Sequence, residues 1–551
     1  MSMTIYKSPK PDIPLFNGSI PEFILSSPHL RARPNSIVLT DAVNDRSLTA
    51  AENITLVRSL AALLRSKYAV NPGTVVAVYS PNHIYLIAIH YAILWCGGVV
   101  SPVNSAYPAR DLREQLSTAD ARLLIAFTGV PSMGDAATEA VSTLSSCSLV
   151  PFTALCDDAL ANLRAGDGPA GDPVKLTKPA AETLAYLCFS SGTTGKFKGV
   201  MTSHHNLTSN VLQTINFDNR IFSPEGVYAG FLPMSHIYAL TLHLYAAVYL
   251  TGRLIVFPKF ELEPFLQCIV RYKMSHLHLV PPILILLAKS PLIDKYPQIR
   301  EHIFYLGSGA APLSRSLGEA VKQRLQPANV RIGQGYGMTE CTPVTHYSPL
   351  DQPDEKLGTI GNLVANVEAR LVDPETGKDV PRGHEGELVV RGPNIMMGYL
   401  NNEEATRATL LDGGWLRTGD IASVGDDGFW TIIDRSKELI KYKGFQVAPA
   451  ELEALLLTHP KVVDAAVVGT YSESEATELA RAYVVLAPGV TPLEIKQWVD
   501  GKVAKHKRLY GGIVVVNEVP KSPSGKILRR ILKERKGDVV VGMRDAATAR
   551  L

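Results

Sequence analysis

The sequence predicts an α/β protein, with a large N-terminal domain of two α/β sheets plus a small β-barrel, followed by a small α/β C-terminal domain. Three observations predict it. Between residues 35 and 127, short apolar strands alternate with helices, the β-α-β pattern of a mostly parallel sheet. A second stretch of this kind carries apolar strands near residues 254–257, 277–280 and 303–306. Beyond it the apolar period shortens to two in residues 367–372 and 387–391, the pattern of a small antiparallel barrel attached to the sheets.

The elements follow in order. A strand at 36–40 precedes a helix with Leu56, Leu60, Leu63 and Leu64 on one face, and a strand at 74–79 comes next. Asn82 is placed to cap the following helix, and Gly97 with Gly98 to end it. Strand 99–103, helix 110–119 and strand 122–127 continue the alternation, and their uninterrupted apolar character predicts a sheet covered on both faces. Residues 157–173, DDALANLRAGDGPAGDP, are rich in Gly, Pro, Ala and Asp and read as a connector. The last part of the chain is predicted to hold strands at 462–468 and 482–486 with flanking helices.

A length of 551 residues suggests three or four structural units, or two domains if one is large. Hydrophobic residues at 46% and charged residues at 19% exclude a disordered or fibrous chain. A net charge of +3 gives no global argument for nucleic acid or acidic membranes as partners. The charge is uneven, though: residues 501–536 hold eleven Lys and Arg against two acids, Glu518 and Glu534, a basic surface suited to a polyanion such as a nucleotide. Six cysteines without a C-x-x-C pair argue against a metal knuckle and for a reducing compartment. The N-terminus lacks an apolar core, and the longest apolar stretch, 84–100, is interrupted by His90, Gly97 and Gly98, so neither a signal peptide nor a membrane span is expected. Ala549-Arg550-Leu551 is like the S-K-L peroxisomal address. Peroxisomal import through its receptor is therefore expected, with a cytoplasmic location as the alternative.

The stretch with most chemistry is 184–200, LAYLCFSSGTTGKFKGV. An apolar strand opens into Ser190, Ser191, Gly192, Thr193, Thr194 and Gly195, which together offer bare backbone N–H groups and four hydroxyls. Lys196 and Lys198 add positive charge, making a cradle for phosphate oxygens. A Walker A loop would need Gly at 190 and Ser or Thr at 197, where the chain has Ser190 and Phe197. In QGYGMTE, residues 334–340, Tyr336 can stack on a base, Thr339 can donate to a phosphate and Glu340 is a hard oxygen ligand for Mg²⁺. GWLRTGD, residues 414–420, ends in Asp420, whose carboxylate can accept both hydroxyls of a ribose. In PKSPSGKILRR, Lys526 stands in a turn before a helix, where its ammonium is expected to project freely.

SSGTTGKFKGV resembles the phosphate-binding signature of the adenylate-forming superfamily, which holds acyl-CoA synthetases, 4-coumarate:CoA ligases, beetle luciferases and peptide-synthetase adenylation domains. Lys196-Phe197 departs from the Leu-Pro common in the 4-coumarate ligases, at the loop's outer end. GELVVRG, DRSKELIKYKGFQVAPAELE and the other motifs follow in family order from about residue 35 to 535. The resemblance implies an ATP-dependent acyl-CoA ligase using Mg²⁺ and coenzyme A on an aryl, arylalkanoic or medium-chain acid. A carrier-loading or luciferase-like adenylating enzyme, and a non-catalytic nucleotide binder, are the alternatives. It further implies an adenylation domain over 1–434 and a mobile domain over 435–551, hinged near 434–437 at Lys437. Nucleotide binding falls to the residues 190–195 with Lys198, to Gln334, Gly335, Tyr336, Gly337 and Thr339, and to Asp420 and Arg435, with Glu340 on the metal. His236 would gate the acyl tunnel, with Tyr238, Gly309, Ala310 and Ala311 on its wall. Lys526 would serve adenylation, Lys441 and Gln446 thioester formation, and Lys443 and Gly444 the coenzyme A channel.

Overall fold

The computed structural model describes residues 4–166, 170–191, 197–443, 445–522 and 525–544. The first α/β stretch builds a seven-stranded sheet in the order Gly398–Tyr399, Phe197–Ser203, Leu184–Ser191, Val99–Val103, Val75–Tyr79, Leu123–Ala126, Ser148–Pro151. Its strands from Leu184–Ser191 to Ser148–Pro151 are parallel, and the remaining two add to one edge antiparallel. Every residue of Val99–Val103 and Leu123–Ala126 is buried, as strands covered on both faces require. Helix Leu86–Trp95 is buried all round and ends at Gly97, which takes the left-handed φ of +77°.

The second stretch builds a nine-stranded sheet: Asn362–Leu363, Val344–Tyr347, Arg331–Gly337, Tyr305–Ser308, His276–Leu279, Val227–Gly230, Arg253–Val256, Ile37–Asp41, Ser47–Thr49. Its centre is parallel and its ends are antiparallel. A six-stranded antiparallel sheet follows, running Tyr6–Lys7, Glu368–Val372, Gly386–Arg391, Trp415–Val424, Leu410–Leu411, with Trp430–Arg435 also on Trp415–Val424. This is the region where a small barrel is expected; among the described residues no pairing closes the six strands into a ring.

After Arg435 come a hairpin, Ile440–Tyr442 with Phe445–Val447, and a three-stranded sheet of Val462–Ser472, Thr477–Leu486 and Ile513–Val515. Leu452, Leu456, Val467, Ala482, Ile495 and Val499 share a core that contains no residue before 440. Two contacts with the larger part position the site. Lys289 Nζ donates to the carbonyls of Leu457 and Val462 at 3.1 and 3.0 Å, and Gly525 packs so close to Val280 that a Cβ there would stand 3.3 Å away.

Two local expectations are corrected. Residues 157–165 are helical, because the helix Phe152–Ala165 buries Phe152, Leu155, Cys156 and Ala159 and stops only at left-handed Gly166. Asn82 caps nothing: its amide donates to the carbonyls of Gly230 and Leu232 at 3.2 and 2.9 Å and accepts from the Met234 N–H at 2.9 Å. It ties the seven-stranded sheet to the segment that carries His236. No helix of the described residues is long and apolar enough to cross a membrane.

Candidate active site

Strand Leu184–Ser191 leads into the segment expected to cradle phosphate, and the chain returns with Ser190 opposite Lys198 and Ser191 opposite Phe197. Gly192, Thr193, Thr194, Gly195 and Lys196 lie outside the described residues, as do the side chains of Ser190 and Ser191. On the loop's far stem, Lys198 holds its ammonium 4.8 Å over the ring of Tyr399. The Tyr399 hydroxyl donates to Glu340 Oε1 at 2.8 Å. Tyr399 is a member of the site that the sequence reading passes over, since only the pairing of Gly398–Tyr399 with Val200 and Met201 brings it there.

Glu340 is 6% exposed. Among the described residues no group of three or more His, Cys, Asp or Glu side chains could hold a metal. Mg²⁺ does not need such a cage, because it keeps several waters and usually takes one or two carboxylates together with substrate phosphates. Glu340 beside the loop stem fits that mode.

Strand Arg331–Gly337 carries the residues expected to meet the nucleotide. Gln334 is occupied internally: its amide oxygen accepts from the Leu313 N–H at 2.8 Å and its NH₂ donates to the Thr359 carbonyl at 2.8 Å, which ties the 309–313 turn to the sheet. The Tyr336 hydroxyl donates to Asp420 Oδ2 at 2.6 Å. Asp420 faces Arg435 as a cross-strand pair, with Arg435 Nε 3.4 Å from Oδ1. Burial raises the Asp420 carboxyl pKa, and Arg435 opposes the rise. Gly335 lies against the Tyr347 ring. Gly337 lies so close to Pro343 that a Cβ would stand 1.7 Å from its carbonyl oxygen, and Thr339 opens the short turn Thr339–Cys341 that carries Glu340.

Where the acyl tunnel is expected, the Tyr238 ring covers Gly309, and a Cβ there would come within 2.9 Å of it. Ala310 next to it adopts a left-handed φ of +66°. His236 accepts the Tyr238 N–H on Nδ1 at 3.3 Å, which leaves its remaining proton on Nε2. Burial, reinforced by the Lys526 ammonium, lowers its pKa to about 4, so the ring is a neutral Nε2–H donor.

The structure separates the lysines. Contrary to the expected free projection, Lys526 is half-buried at the site. Burial and then the Arg435 guanidinium push its pKa down to about 8, against the pull of Glu438, Asp420 and Glu340. A chain of charges runs on from Asp420 and Arg435. Arg435 Nη1 is 3.9 Å from Glu438, Glu438 is 2.8 Å from Arg529, and Arg529 holds both oxygens of Glu453 at 2.8 Å. Arg529 opens the helix Arg529–Lys533 that follows Lys526.

Lys441 and Gln446 are exposed, paired across the hairpin. Lys443 is exposed too, its ammonium 2.9 Å from Glu475, while Gly444 lies outside the described residues. Lys437 is exposed beside Asp434, whose two oxygens accept from the N–H groups of Arg435 and Ala450 at 2.7 and 3.0 Å. A cavity of about 230 Å³ lined by Asn82, Ser105, Ser235, Lys259 and Val280 lies next to His236 and shares Val280 with the Lys526 turn.

A model of the AMP-binding enzyme family matches residues 28–400, and one of the AMP-binding enzyme C-terminal domain matches residues 451–526. Probable 4-coumarate–CoA ligase 1 of Dictyostelium discoideum is 37% identical over 547 residues, covering 96% of this chain and 98% of that protein. 4-Coumarate–CoA ligase 1 of Petroselinum crispum is 37% identical over 545 residues, with 96% and 98% covered. The crystal structure of ATP-bound MatB from Rhodopseudomonas palustris superposes with a TM-score of 0.80 at 28% identity, covering 91% of this chain and 95% of that one.

Proposed function

The chain belongs to the AMP-binding enzyme family, and from that premise we propose that it is an ATP-dependent ligase joining a carboxylic acid to coenzyme A through an acyl-AMP, with release of AMP and pyrophosphate. The observation that carries this reading is the convergence of His236, Glu340, Asp420, Arg435 and Lys526, from five separate segments, on one site. A nucleotide-binding scaffold has no use for a half-buried lysine set among the charges of Glu438, Asp420 and Glu340 and beside a neutral imidazole.

In the first step an oxygen of the substrate carboxylate attacks the α-phosphorus, and the P–O bond to pyrophosphate breaks with its electrons going to pyrophosphate. Lys526 stabilises the charge that builds between the carboxylate and the α-phosphate. Asp420 accepts the ribose hydroxyls, Tyr336 is held by Asp420 where it can offer its face to adenine, and the His236 Nε2–H orients the carboxyl group. Mg²⁺ on Glu340, when bound, neutralises phosphate charge. In the second step the coenzyme A thiolate attacks the acyl carbon and the C–O bond to AMP breaks. Lys441, Gln446, Lys443 and Gly444 serve this step after the part beyond residue 434 rotates about 434–437.

Product analysis tests the reading. Purified chain with Mg-ATP, coenzyme A and a panel of acids is expected to yield an acyl-CoA and AMP in equal amounts by mass spectrometry. ADP as product, or an adenylate that never reacts with coenzyme A, contradicts it, the latter pointing to a carrier-loading or oxidising enzyme. Because the Tyr238 ring closes over Gly309, kcat/KM is expected to be higher for aryl or medium-chain acids than for a C16 acid. A C16 acid that outperforms them all refutes this pocket shape.

The pH dependence follows from Lys526, charged below about pH 8 and neutral above it. Acyl-AMP formation is expected to fall above that pH, and Lys526→Arg to remove the fall, since an arginine stays charged. The same alkaline limb in both proteins assigns it elsewhere. For location, the Ala549-Arg550-Leu551 tripeptide, outside the described residues, supports the proposal of peroxisomal import. A fluorescent fusion that keeps the tail and remains diffuse in cells with working peroxisomes refutes it.

A further inference from the structure

Helix Pro281–Lys289 touches the part of the chain beyond residue 434 at both of its ends. At its start, Val280 and Pro282 pack on the glycine before Lys526: a Cβ at Gly525 would stand 3.3 Å from Val280 and 3.6 Å from Pro282. At its other end, about 13 Å along the helix axis, the Lys289 ammonium donates to the carbonyls of Leu457 and Val462 at 3.1 and 3.0 Å. That end is fixed from behind, since Arg324 donates to the Ser290 carbonyl at 3.3 Å and to Asp294 Oδ2 at 2.7 Å. The acceptors suit a cation. Leu457 lies in the last turn of helix Pro449–Thr458, where carbonyls lack intrahelical donors and the helix dipole is negative. The Lys461 N–H, four residues on, is turned to His459 Nδ1 at 3.1 Å, which leaves the Leu457 carbonyl to Lys289.

We propose that Lys289 is a positioning residue for acyl-AMP formation: it fastens the part beyond residue 434 in the pose that holds Lys526 at the site, and lets go before the thioester step. The proposal rests on the acyl-CoA ligase reading above and on its rotation about 434–437. Lys289 does not touch the reacting groups; it acts through Lys526. The helix Pro281–Lys289 is a strut whose two ends grip the small part at separated points, and two such points resist a turn that one would allow. The geometry also makes the grip specific to this pose. Helix Pro449–Thr458 begins beside the hinge, where Asp434 accepts from the Ala450 N–H at 3.0 Å. Leu457 is seven residues further along, roughly 10 Å out from that point, so the rotation swings its carbonyl away from the ammonium. After the turn both carbonyls are left to water, and the pose that presents Lys441 gains nothing from Lys289.

The test measures the two half-reactions separately on the full chain: pyrophosphate exchange with an acid that the unsubstituted protein accepts, and thioester formation from supplied acyl-AMP and coenzyme A. Lys289→Met, which keeps an apolar stem and removes the charge, is expected to lower the kcat of exchange about three- to tenfold, the loss when hydrogen bonds from a charged donor no longer favour one of two poses. Thioester formation is expected to hold or to rise in the same variant. Lys289→Arg, whose guanidinium can donate to both carbonyls, is expected to restore exchange. Lys289→Gln, which keeps a donor without the charge, is expected to fall between the two and serves if the Met variant does not fold. A lysine that merely ends a helix at the surface would leave both rates unchanged, and unchanged exchange in Lys289→Met overturns the proposal. So does a fall of both half-reactions together in the Met and Gln variants, which is the signature of a structural role alone. No exchange with any acid in the unsubstituted chain removes the ligase reading and this inference with it, whereas an active ligase whose exchange ignores the substitution removes this inference alone.

Discussion

Lys526→Ala is expected to slow acyl-AMP formation by about 10²–10³, the usual loss when one preorganised donor to a transition state is removed, while supplied acyl-AMP and coenzyme A are still converted to thioester. Lys441→Ala is expected to do the reverse. The asymmetry follows from placement. Lys526 is held at the site by the packing of Gly525 on Val280 and by the charge chain through Glu438 and Arg529. Lys441 stands exposed on a hairpin, its backbone tied to Thr477 and Glu478. Both lysines belong to the part of the chain with its own core, so a rotation near 434–437 can exchange them. Single-turnover assays of each half-reaction decide the matter: equal loss of both steps in both variants refutes the exchange.

Gly337→Ala is expected to destabilise the protein by about 3 kcal/mol or more and to abolish ATP binding. The added Cβ would stand 1.7 Å from the Pro343 carbonyl oxygen, and overpacking against backbone cannot be relieved by a side-chain rotation. The turn that must move carries Thr339 and Glu340, so the loss falls on the nucleotide site as well as on stability. Gly377→Ala is the control, since that residue has φ +67° but nothing within 4 Å of an added Cβ. It is expected to cost about 1 kcal/mol through backbone strain alone and to leave ATP binding unchanged. Denaturant midpoints and nucleotide titrations of the two variants check this, and equal midpoints contradict the steric account.

The parts of this molecule that were legible in the sequence are those whose cause is local. Apolar runs mark the buried strands Val99–Val103 and Leu123–Ala126 because burial on both faces demands them. The helix Phe152–Ala165 has no signal in the composition of 157–173, because the Phe152, Leu155 and Cys156 that anchor it lie before that stretch. Asn82 looked like a cap because helix-capping chemistry is local, whereas its partners lie about 150 residues away. Tyr399 carries no local signal at all. It comes to the site only when the pairing of Gly398–Tyr399 with Val200 and Met201 sets it beside Glu340. For Lys526 the sequence shows the turn but not its surroundings, since no neighbour in sequence reveals that Arg435, Asp420 and Glu340 act on it.

If the acyl-AMP forms before coenzyme A is needed, isotope exchange between pyrophosphate and ATP with coenzyme A left out reports it. Exchange is expected to depend on an added carboxylic acid, to be lost in Lys526→Ala and to survive in Lys441→Ala. Exchange that appears only when coenzyme A is present, or that proceeds at full rate in Lys526→Ala, would contradict it.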